Sequence, residues 1–333
     1  MASDAWKTGI RTLALGGGML CWCCLCLANP TAWVAGPPVF TPGPEGAFDA
    51  VAVKDPSIVR HDGKWHLFYT ARGQDGYSLG YAAAPALEAL DKAPRHCLEQ
   101  LRGKTNGYAA APQVFYFAPD EHWYLVYQTR DSNYQPVYAR TPDITEPGSW
   151  SRPRNLGEKK DLEKWIDFWV ICDEQCAWLF YTRGHRAVYA MECPLTEFPH
   201  GFANPREVFA PVHEAVHIYR NTADGRYHML YETRIRKDIR RFGLAVAKSL
   251  GGPWRDVTRD YATGAMLRFP EGVSRWTGEV SHGEMLRVGY DHRLEYDVRE
   301  SRFLIQGMRE EAHTGEYSEL TWRLGVIERG GGE

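Results

Sequence analysis

The stretch DPSIVRHDGKWHLFYT, residues 55–70, contains the unit that decides the fold. An apolar run is followed by the polar turn HDGK, and a second run then follows the pattern aromatic-x-Leu-x-Tyr. Short runs rich in aromatic and β-branched residues, bounded by turn residues, are typical of β-strands. The stretch therefore predicts a β-hairpin.

The same unit recurs along the chain at intervals of roughly 50 to 70 residues, the period expected for propeller blades of about four strands. Helical spacing is confined to ALEALDKAPRHCLEQL, residues 86–101. We therefore expect an all-β protein folded as a five-bladed β-propeller. The further copies are APQVFYFAPDEHWYLVYQ (111–128), IDFWVICDEQCAWLFYT (166–182), EAVHIYRNTADGRYHMLYE (214–232) and, more loosely, HGEMLRVGYDHRLEYDV (282–298).

Composition excludes some functions. The chain has 333 residues, 44% of them hydrophobic, and a formal net charge of −3. A nucleic-acid-binding protein would normally be basic or carry a basic face, so we expect no nucleic-acid partner. The one basic run, RIRKDIRR (234–241), lies between two strand-like segments and is interpreted as a solvated hairpin loop rather than a phosphate-binding patch.

The N-terminus has the order of residues of a secretory signal peptide. Lys7 and Arg11 precede the apolar run TLALGGGMLCWCCLCLA, and small residues follow near Ala28. We expect a signal peptide at residues 1–28, a linker at 29–44 and a catalytic propeller at 45–330. Secretion is the expected localisation, with no membrane contact after cleavage; an uncleaved anchor is the alternative.

After cleavage the chain keeps Cys97, Cys172, Cys176 and Cys193. Cys172 and Cys176 flank a short polar turn, so they could face each other across a hairpin and be oxidised in an exported protein. Zinc binding by these cysteines is disfavoured, because no CxxC or HxxxH spacing accompanies them.

Polar residues recur at the start of the first strand of each copy, where a propeller brings its inner strands together at one mouth of the axis. These residues are Asp55, Gln113, Asp167, Glu214, and His282 with Glu284. Asp167, among apolar neighbours, could be a structural carboxylate satisfied by backbone donors. Converging acids instead suggest glycoside hydrolysis, which needs one carboxylic acid to protonate the leaving oxygen and one carboxylate to act as base or nucleophile. A third acid beside the proton donor would raise the pKa of that donor by like-charge repulsion. The residues alone assign none of these roles.

Six motifs in order along residues 45–327 resemble the blade motifs of glycoside hydrolase family 62, the α-L-arabinofuranosidases. They are VKDPSIVRHDGKWHLFY, APQVFYFAPDEHWYLVYQ, WIDFWVICD, FPHGFANP, SHGEMLRVGYD and YSELTWRLGV. The resemblance implies a five-bladed propeller that removes single arabinofuranosyl groups from arabinoxylan or arabinan with inversion. Since a propeller closes on itself, we expect a monomer.

The resemblance also implies roles for individual residues. Asp55 would be the general base, Asp167 would modulate pKa and position the sugar, and Glu214 would be the general acid. His282 would lie beside a structural calcium ion near the axis, with water as its other ligands. The residues expected to contact substrate are Lys54, Gln113, Phe168, Glu284, Tyr290, Tyr317 and Arg323.

Several of these residues have alternative interpretations. Glu284 could instead pair with Arg287 or Arg323, and His282 could be a core histidine. The chain also departs from the family pattern: His213 precedes the acid, Thr129, Arg130 and Asp131 follow VYQ, and Ser318 follows Tyr317.

The alternatives for function are another pentosidase of this propeller group, β-xylosidase or arabinanase, or a carbohydrate-binding propeller without catalysis. Trp65, Trp123 and Trp178 recur at equivalent positions and are expected in the core.

Overall fold

The computed structural model describes residues 32–131, 135–157, 163–236 and 239–329. The predicted signal peptide or anchor, residues 1–28, lies outside these ranges. Within them, no helix is both long and apolar enough to cross a bilayer. The helical turns are short 3-10 segments: Leu87–Lys92, Glu99–Leu101, Ala118–Asp120, Pro147–Ser149, Leu195–Glu197, Gly264–Met266, Val298–Glu300, Glu310–Ala312 and Tyr317–Glu319.

The strands follow the repeat. In chain order they are β1 (Trp33–Phe40), β2 (Ala52–His61), β3 (Lys64–Gly73), β4 (Gly76–Ala84), β5 (Arg95–Cys97), β6 (Ala109–Phe117), β7 (His122–Thr129), β8 (Gln135–Thr141), β9 (Arg154–Asn155), β10 (Trp165–Cys172), β11 (Cys176–Arg183), β12 (Ala187–Pro194), β13 (Ala203–Phe209), β14 (Glu214–Asn221), β15 (Tyr227–Arg236), β16 (Ile239–Ala247), β17 (Arg255–Thr263), β18 (Leu267–Arg268), β19 (Ser281–Met285), β20 (Glu295–Tyr296), β21 (Arg302–Gly307) and β22 (Arg323–Arg329).

These strands form five sheets, which confirms the all-β, five-bladed propeller. The first three blades are β2-β3-β4-β5, β6-β7-β8-β9 and β10-β11-β12-β13; the fourth is β17-β16-β15-β14-β20 and the fifth β18-β1-β22-β21-β19. The inner strands β2, β6, β10, β14 and β19 contact one another around the axis. Trp65, Trp123 and Trp178 are buried, as expected for core residues.

The fifth blade corrects two sequence-based boundaries. Strand β1 lies between β18 and β22, so residues 33–40 close the ring and are not a linker. Trp33 is fully buried and its indole N–H donates to Tyr261 O at 2.9 Å. The second strand of the last copy is β21, whereas the segment around Tyr296 forms β20 and pairs with β14 of the fourth blade.

The cysteines are free in the described residues. The β10–β11 register places Cys172 opposite Ala177, and Cys176 pairs with Pro194 in β12. Cys172 and Cys176 therefore do not face each other across the hairpin, which corrects the expected disulfide geometry.

A bulge recurs near the start of the inner strands. In β2, β6, β10 and β14 three residues of the inner strand span the length of two in the next strand. One residue in each bulge has positive φ: Asp55 (47°), Ala111 (52°), Asp167 (57°) and Ala215 (52°). A bulge bends its strand and redirects a side chain, so the same device turns these residues toward one mouth of the axis.

Candidate active site

A pocket of about 360 Å³ opens at the mouth where the bulges lie. Its size is at the lower end of small-molecule pockets, which suits one or two sugar rings better than an extended chain. It is lined by Lys54, Asp55, Thr70, Tyr77, Tyr108, Ala110, Gln128, Arg130, Lys164, Ile166, Asp167, Glu214, His282, Glu316, Tyr317 and Ser318.

Asp55 is placed by the bulge of β2. Its backbone N–H, which the bulge removes from the strand ladder, donates to Gln306 Oε1 at 2.7 Å. Its carboxylate lies 3.8 Å from Lys54 Nζ and 3.4 Å from His282 Nδ1. Burial lowers the pKa of Lys54, but Asp55 and neighbouring phenols outweigh burial and hold it well above its usual value. Lys54 is therefore a permanent positive charge beside Asp55.

Asp167 occupies the matching bulge of β10. Its backbone N–H donates to Gln128 Oε1 at 3.1 Å, and its Oδ2 accepts from the backbone N–H of Ala215 at 2.9 Å. Burial raises the pKa of Asp167; His282 lowers it, and the charges of Glu214 and Asp55 raise it further. The net direction is upward, so this side chain has both a structural hydrogen bond and the electrostatics of an active-site acid.

Glu214 begins β14, one residue before the bulge, and its two oxygens face different partners. Oε1 accepts from Arg240 Nη1 at 2.7 Å, whereas Oε2 lies 3.3 Å from His185 Nδ1 and 3.7 Å from His213 Nε2. Burial raises the pKa of Glu214, but Arg240 and the two histidines outweigh burial and hold it well below its usual value. Glu214 is ionised in the sugar-free protein. This corrects the expectation that a third acid raises the donor's pKa, because here the raised pKa belongs to Asp167.

Arg240 connects Glu214 to a second buried acid. Its Nη1 lies 3.2 Å from Glu232 Oε1, and Glu232 Oε2 accepts from Ser281 Oγ at 2.7 Å and from the backbone N–H of His282 at 3.0 Å. Burial raises the pKa of Glu232 to about 8, against the lowering effect of Arg240. Near neutral pH Glu232 is therefore largely protonated, and Glu214 carries the negative charge that Arg240 balances.

The pocket brings together six of the predicted site residues. Five of them come from four blades: Lys54 and Asp55 from the first, Asp167 from the third, Glu214 from the fourth and His282 from the fifth. The sixth, Tyr317, lies on the rim, where its hydroxyl accepts from Lys54 Nζ at 2.9 Å. The other predicted substrate-binding residues do not line the pocket: Gln113, Phe168, Glu284, Tyr290 and Arg323.

Gln113 and Glu284 lie deeper along the axis, where they satisfy the backbone of neighbouring inner strands. Gln113 Nε2 donates to Val170 O and its Oε1 accepts from Val170 N, both at 2.7 Å. Glu284 Oε2 accepts from Ile58 N at 2.9 Å, and its Oε1 lies 2.8 Å from Arg287 Nε. Both side chains therefore join blades, and Arg287 is the partner that the alternative interpretation of Glu284 named.

The other three residues lie elsewhere for simple geometric reasons. Phe168 follows Asp167 in the strand and is buried in the core. Tyr290 packs against Trp123 with ring centroids 5.3 Å apart, at the end of the inner strands opposite the pocket. Arg323 begins β22, the third strand out from the axis.

Several residues in or beside the pocket were not predicted from the sequence. Arg240 belongs to the basic run interpreted as a solvated loop. The described parts of the run, 234–236 and 239–241, lie in the paired strands β15 and β16, and Arg240 is only 7% exposed and points into the site. Gln128, at the end of the second repeat copy, was visible as a polar strand end. Nothing in the sequence near His185 indicates that the turn between β11 and β12 brings it to Glu214.

The surroundings of His282 decide how well calcium fits. Calcium takes six to eight oxygen ligands. The Nδ1 of His282 lies 3.4 Å from the carboxylate of Asp55, its ring lies 4.9 Å from the ring of His217, and its charge also acts on the carboxyl group of Asp167. These groups fit a calcium ion only if water supplies most of its ligands.

Comparisons with known proteins agree with this arrangement. The profile described as glycosyl hydrolase family 62 matches residues 43–328. Alpha-L-arabinofuranosidase C of Cellvibrio japonicus is 29% identical over 314 residues, covering 90% of this chain and 47% of its own, so the chain spans about half the length of that curated relative.

Two similar structures share the whole propeller. The catalytic domain of the Coprinopsis cinerea GH62 α-L-arabinofuranosidase has 32% identity and a TM-score of 0.82, covering 90% of this chain and 96% of its own. The Podospora anserina α-L-arabinofuranosidase in complex with cellotriose also has 32% identity and a TM-score of 0.82, covering 91% and 98%. Because the profile match extends through all five sheets, the chain belongs to glycosyl hydrolase family 62.

Proposed function

We propose that the protein is an inverting α-L-arabinofuranosidase that removes arabinofuranosyl side groups from arabinoxylan or arabinan. The observation that carries this proposal is one pocket in which Asp55 and Glu214 project from different blades, with Asp167 close to both. The names of the relatives support the activity. A GH62 hydrolase has been solved with xylotriose, which supports a xylan-type substrate.

The proposed reaction needs one base and one acid on opposite sides of the sugar. Asp55 takes a proton from water as the water oxygen bonds to the anomeric carbon. Glu214 gives a proton to the departing glycosidic oxygen as that bond breaks. Lys54, which is charged and beside Asp55, fixes the carboxylate and can donate to a sugar hydroxyl.

Glu214 must gain a proton before it can act as the acid. In the sugar-free protein Arg240 and two histidines favour its ionised form. A sugar in the pocket displaces water from Glu214, and removing water raises the pKa of a carboxyl group. Binding of the sugar thus acts in the direction that the acid role requires.

The setting of the enzyme is also part of this proposal. We propose a secreted monomer that acts on plant cell-wall polysaccharide or its oligosaccharides. Calcium, when bound, would be held by His282 with water as the other ligands, and would supply positive charge near the axis. Support for calcium comes from the resemblance and from the position of His282 in the pocket.

Proton NMR of wheat arabinoxylan treated with the protein tests the activity. Release of β-arabinofuranose within minutes would support both the substrate and inversion, whereas no release from arabinoxylan or arabinan would overturn the assignment. Glu214→Gln should abolish turnover and spare sugar binding. Glu300→Gln, an exposed glutamate outside the pocket, is the matched control and should leave turnover unchanged.

A further inference from the structure

We propose that His185, His213 and Glu214 bind a transition-metal ion such as Zn²⁺ at the side of the pocket, and that the bound metal inhibits the enzyme. Three side chains from two blades each offer one ligand atom, and these atoms lie within 4.8 Å of one another. Metal binding stands on this geometry alone. Inhibition rests on the acid role of Glu214 proposed above.

Two of the three distances between ligand atoms are near those of a zinc site. Zinc binds histidine nitrogen and carboxylate oxygen at about 2.0–2.2 Å, so two ligands of a tetrahedral site lie about 3.3 Å apart. His185 Nδ1 is 3.3 Å from Glu214 Oε2, and His213 Nε2 is 3.7 Å from the same oxygen. Small movements of the two rings would therefore complete the site.

The ligand atoms are available for a metal. His185 Nδ1 and His213 Nε2 are both shielded from solvent, and among the described residues the nearest partner of each is Glu214 Oε2, at 3.3 and 3.7 Å. Buried polar atoms without partners are uncommon and call for an explanation such as an ion. The two rings are stacked with centroids 4.7 Å apart, so both present a nitrogen to the same carboxylate oxygen.

Three cationic side chains, Lys164, Arg234 and Arg240, line the cavity beside the cluster, so a metal ion must bind against their charge. Arg240 bonds to the other oxygen of Glu214, Oε1, and so leaves Oε2 to the two histidines. Lys164 Nζ lies 3.3 Å from His185 Nε2, so the ammonium group favours the tautomer with the proton on Nδ1. Zinc at Nδ1 requires the proton of His185 to be on Nε2, where it would face the ammonium group of Lys164. Lys164 must then move into the adjoining cavity of about 380 Å³, whose wall it helps to form.

The donor set indicates the class of metal. Two histidines and a glutamate with an open position are a known zinc ligand set, and imidazole also suits copper and nickel. Calcium prefers oxygen ligands and is disfavoured at this cluster, where two of the three donors are nitrogen. A metal on Oε2 occupies the lone pair that would carry the catalytic proton, and Arg240 already holds Oε1. Glu214 would then have no free oxygen with which to protonate the leaving group.

Isothermal titration of the full chain with Zn²⁺ tests the site without any activity measurement. We expect one Zn²⁺ per chain, with affinity at least about tenfold weaker in His213→Phe and in His185→Asn. Phenylalanine keeps a stacked ring, and asparagine tolerates the positive φ of position 185, 53°. His200→Ala removes an exposed histidine outside the cluster and should leave the affinity unchanged.

Arabinose release in the presence of Zn²⁺ tests the inhibition. Loss of activity over the same Zn²⁺ range as binding would support the full proposal. Absence of a 1:1 complex, or equal affinity in both cluster variants and the unaltered protein, would overturn the site. Stoichiometric binding with undiminished arabinose release would overturn the inhibition and, with it, the acid role of Glu214, but not the metal site. If the protein has no activity, the titration still decides the metal site separately.

Discussion

Replacing Arg240 by methionine should raise the pKa of Glu214. Arg240 Nη1 lies 2.7 Å from Glu214 Oε1, which puts the two charge centres about 4 Å apart. At an effective dielectric constant of about 20 such a pair is worth about 4 kcal/mol. Since one pKa unit is about 1.4 kcal/mol, losing the arginine should raise the pKa by up to about 3 units. Methionine is a suitable replacement because it fills a similar volume without charge.

The assay is carbon NMR of ¹³C-labelled glutamate carboxyls across a pH titration, with Glu214 assigned by the signal that Glu214→Gln lacks. Arg241→Met is the matched control: Arg241 is the next residue in the same strand, and its ion-pair partner is Asp260, outside the pocket. The control should leave the Glu214 titration where it is. A shift below about 1 unit in Arg240→Met would refute the claim that this ion pair sets the protonation of Glu214.

Three further outcomes follow from contacts described above. Gln113→Ala should lower the free energy of unfolding by about 2–5 kcal/mol, because it leaves the buried N–H and C=O of Val170 without these partners. KM for arabinoxylan should stay the same. A raised KM with normal stability would contradict the placement of Gln113 outside the pocket. Trp33→Ala should cost about 3–5 kcal/mol by denaturant titration, since β1 is part of the fifth blade; a loss within error would mean that β1 does not close the ring. Burial lowers the pKa of His228 to about 4. Below about pH 6.5 this histidine therefore binds a proton in the unfolded chain but not in the folded one. The free energy of unfolding should fall toward pH 4 by at most about 1.4 kcal/mol per pH unit. His228→Gln should flatten that slope, and an unchanged slope would contradict the assignment.

The repeat made the fold predictable because the first three blades are each built from consecutive strands, so their pattern is local. Ring closure is different: β1 pairs with β22 from the other end of the chain. Its sequence, WVAGPPVF, has a glycine and two prolines and resembles a linker. This segment is a strand because it pairs with β22, and a pattern within residues 33–40 carries no information about that partner.

The site was predictable where a single motif carries it. Asp55, Asp167 and Glu214 lie in the first strands of their repeats, and the pocket contains all three. Gln113 was placed with them by counting from the start of its repeat, but Ala111 occupies the bulge and Gln113 follows it, one layer deeper. The contacts of Arg240 arise only when strands of a blade pack together.

The bulge has a consequence for the history of the propeller. Asp55 and Asp167 share their left-handed backbone with Ala111 and Ala215, which carry no functional group. A conformation that is unfavourable for non-glycine residues thus persists in two blades where the side chain at that position has no chemical role. In an ancestor that grew by duplicating one blade, the bulge would have come with every copy. The carboxylates would then have been acquired one substitution at a time, at bulge positions whose side chains already pointed toward the mouth of the axis.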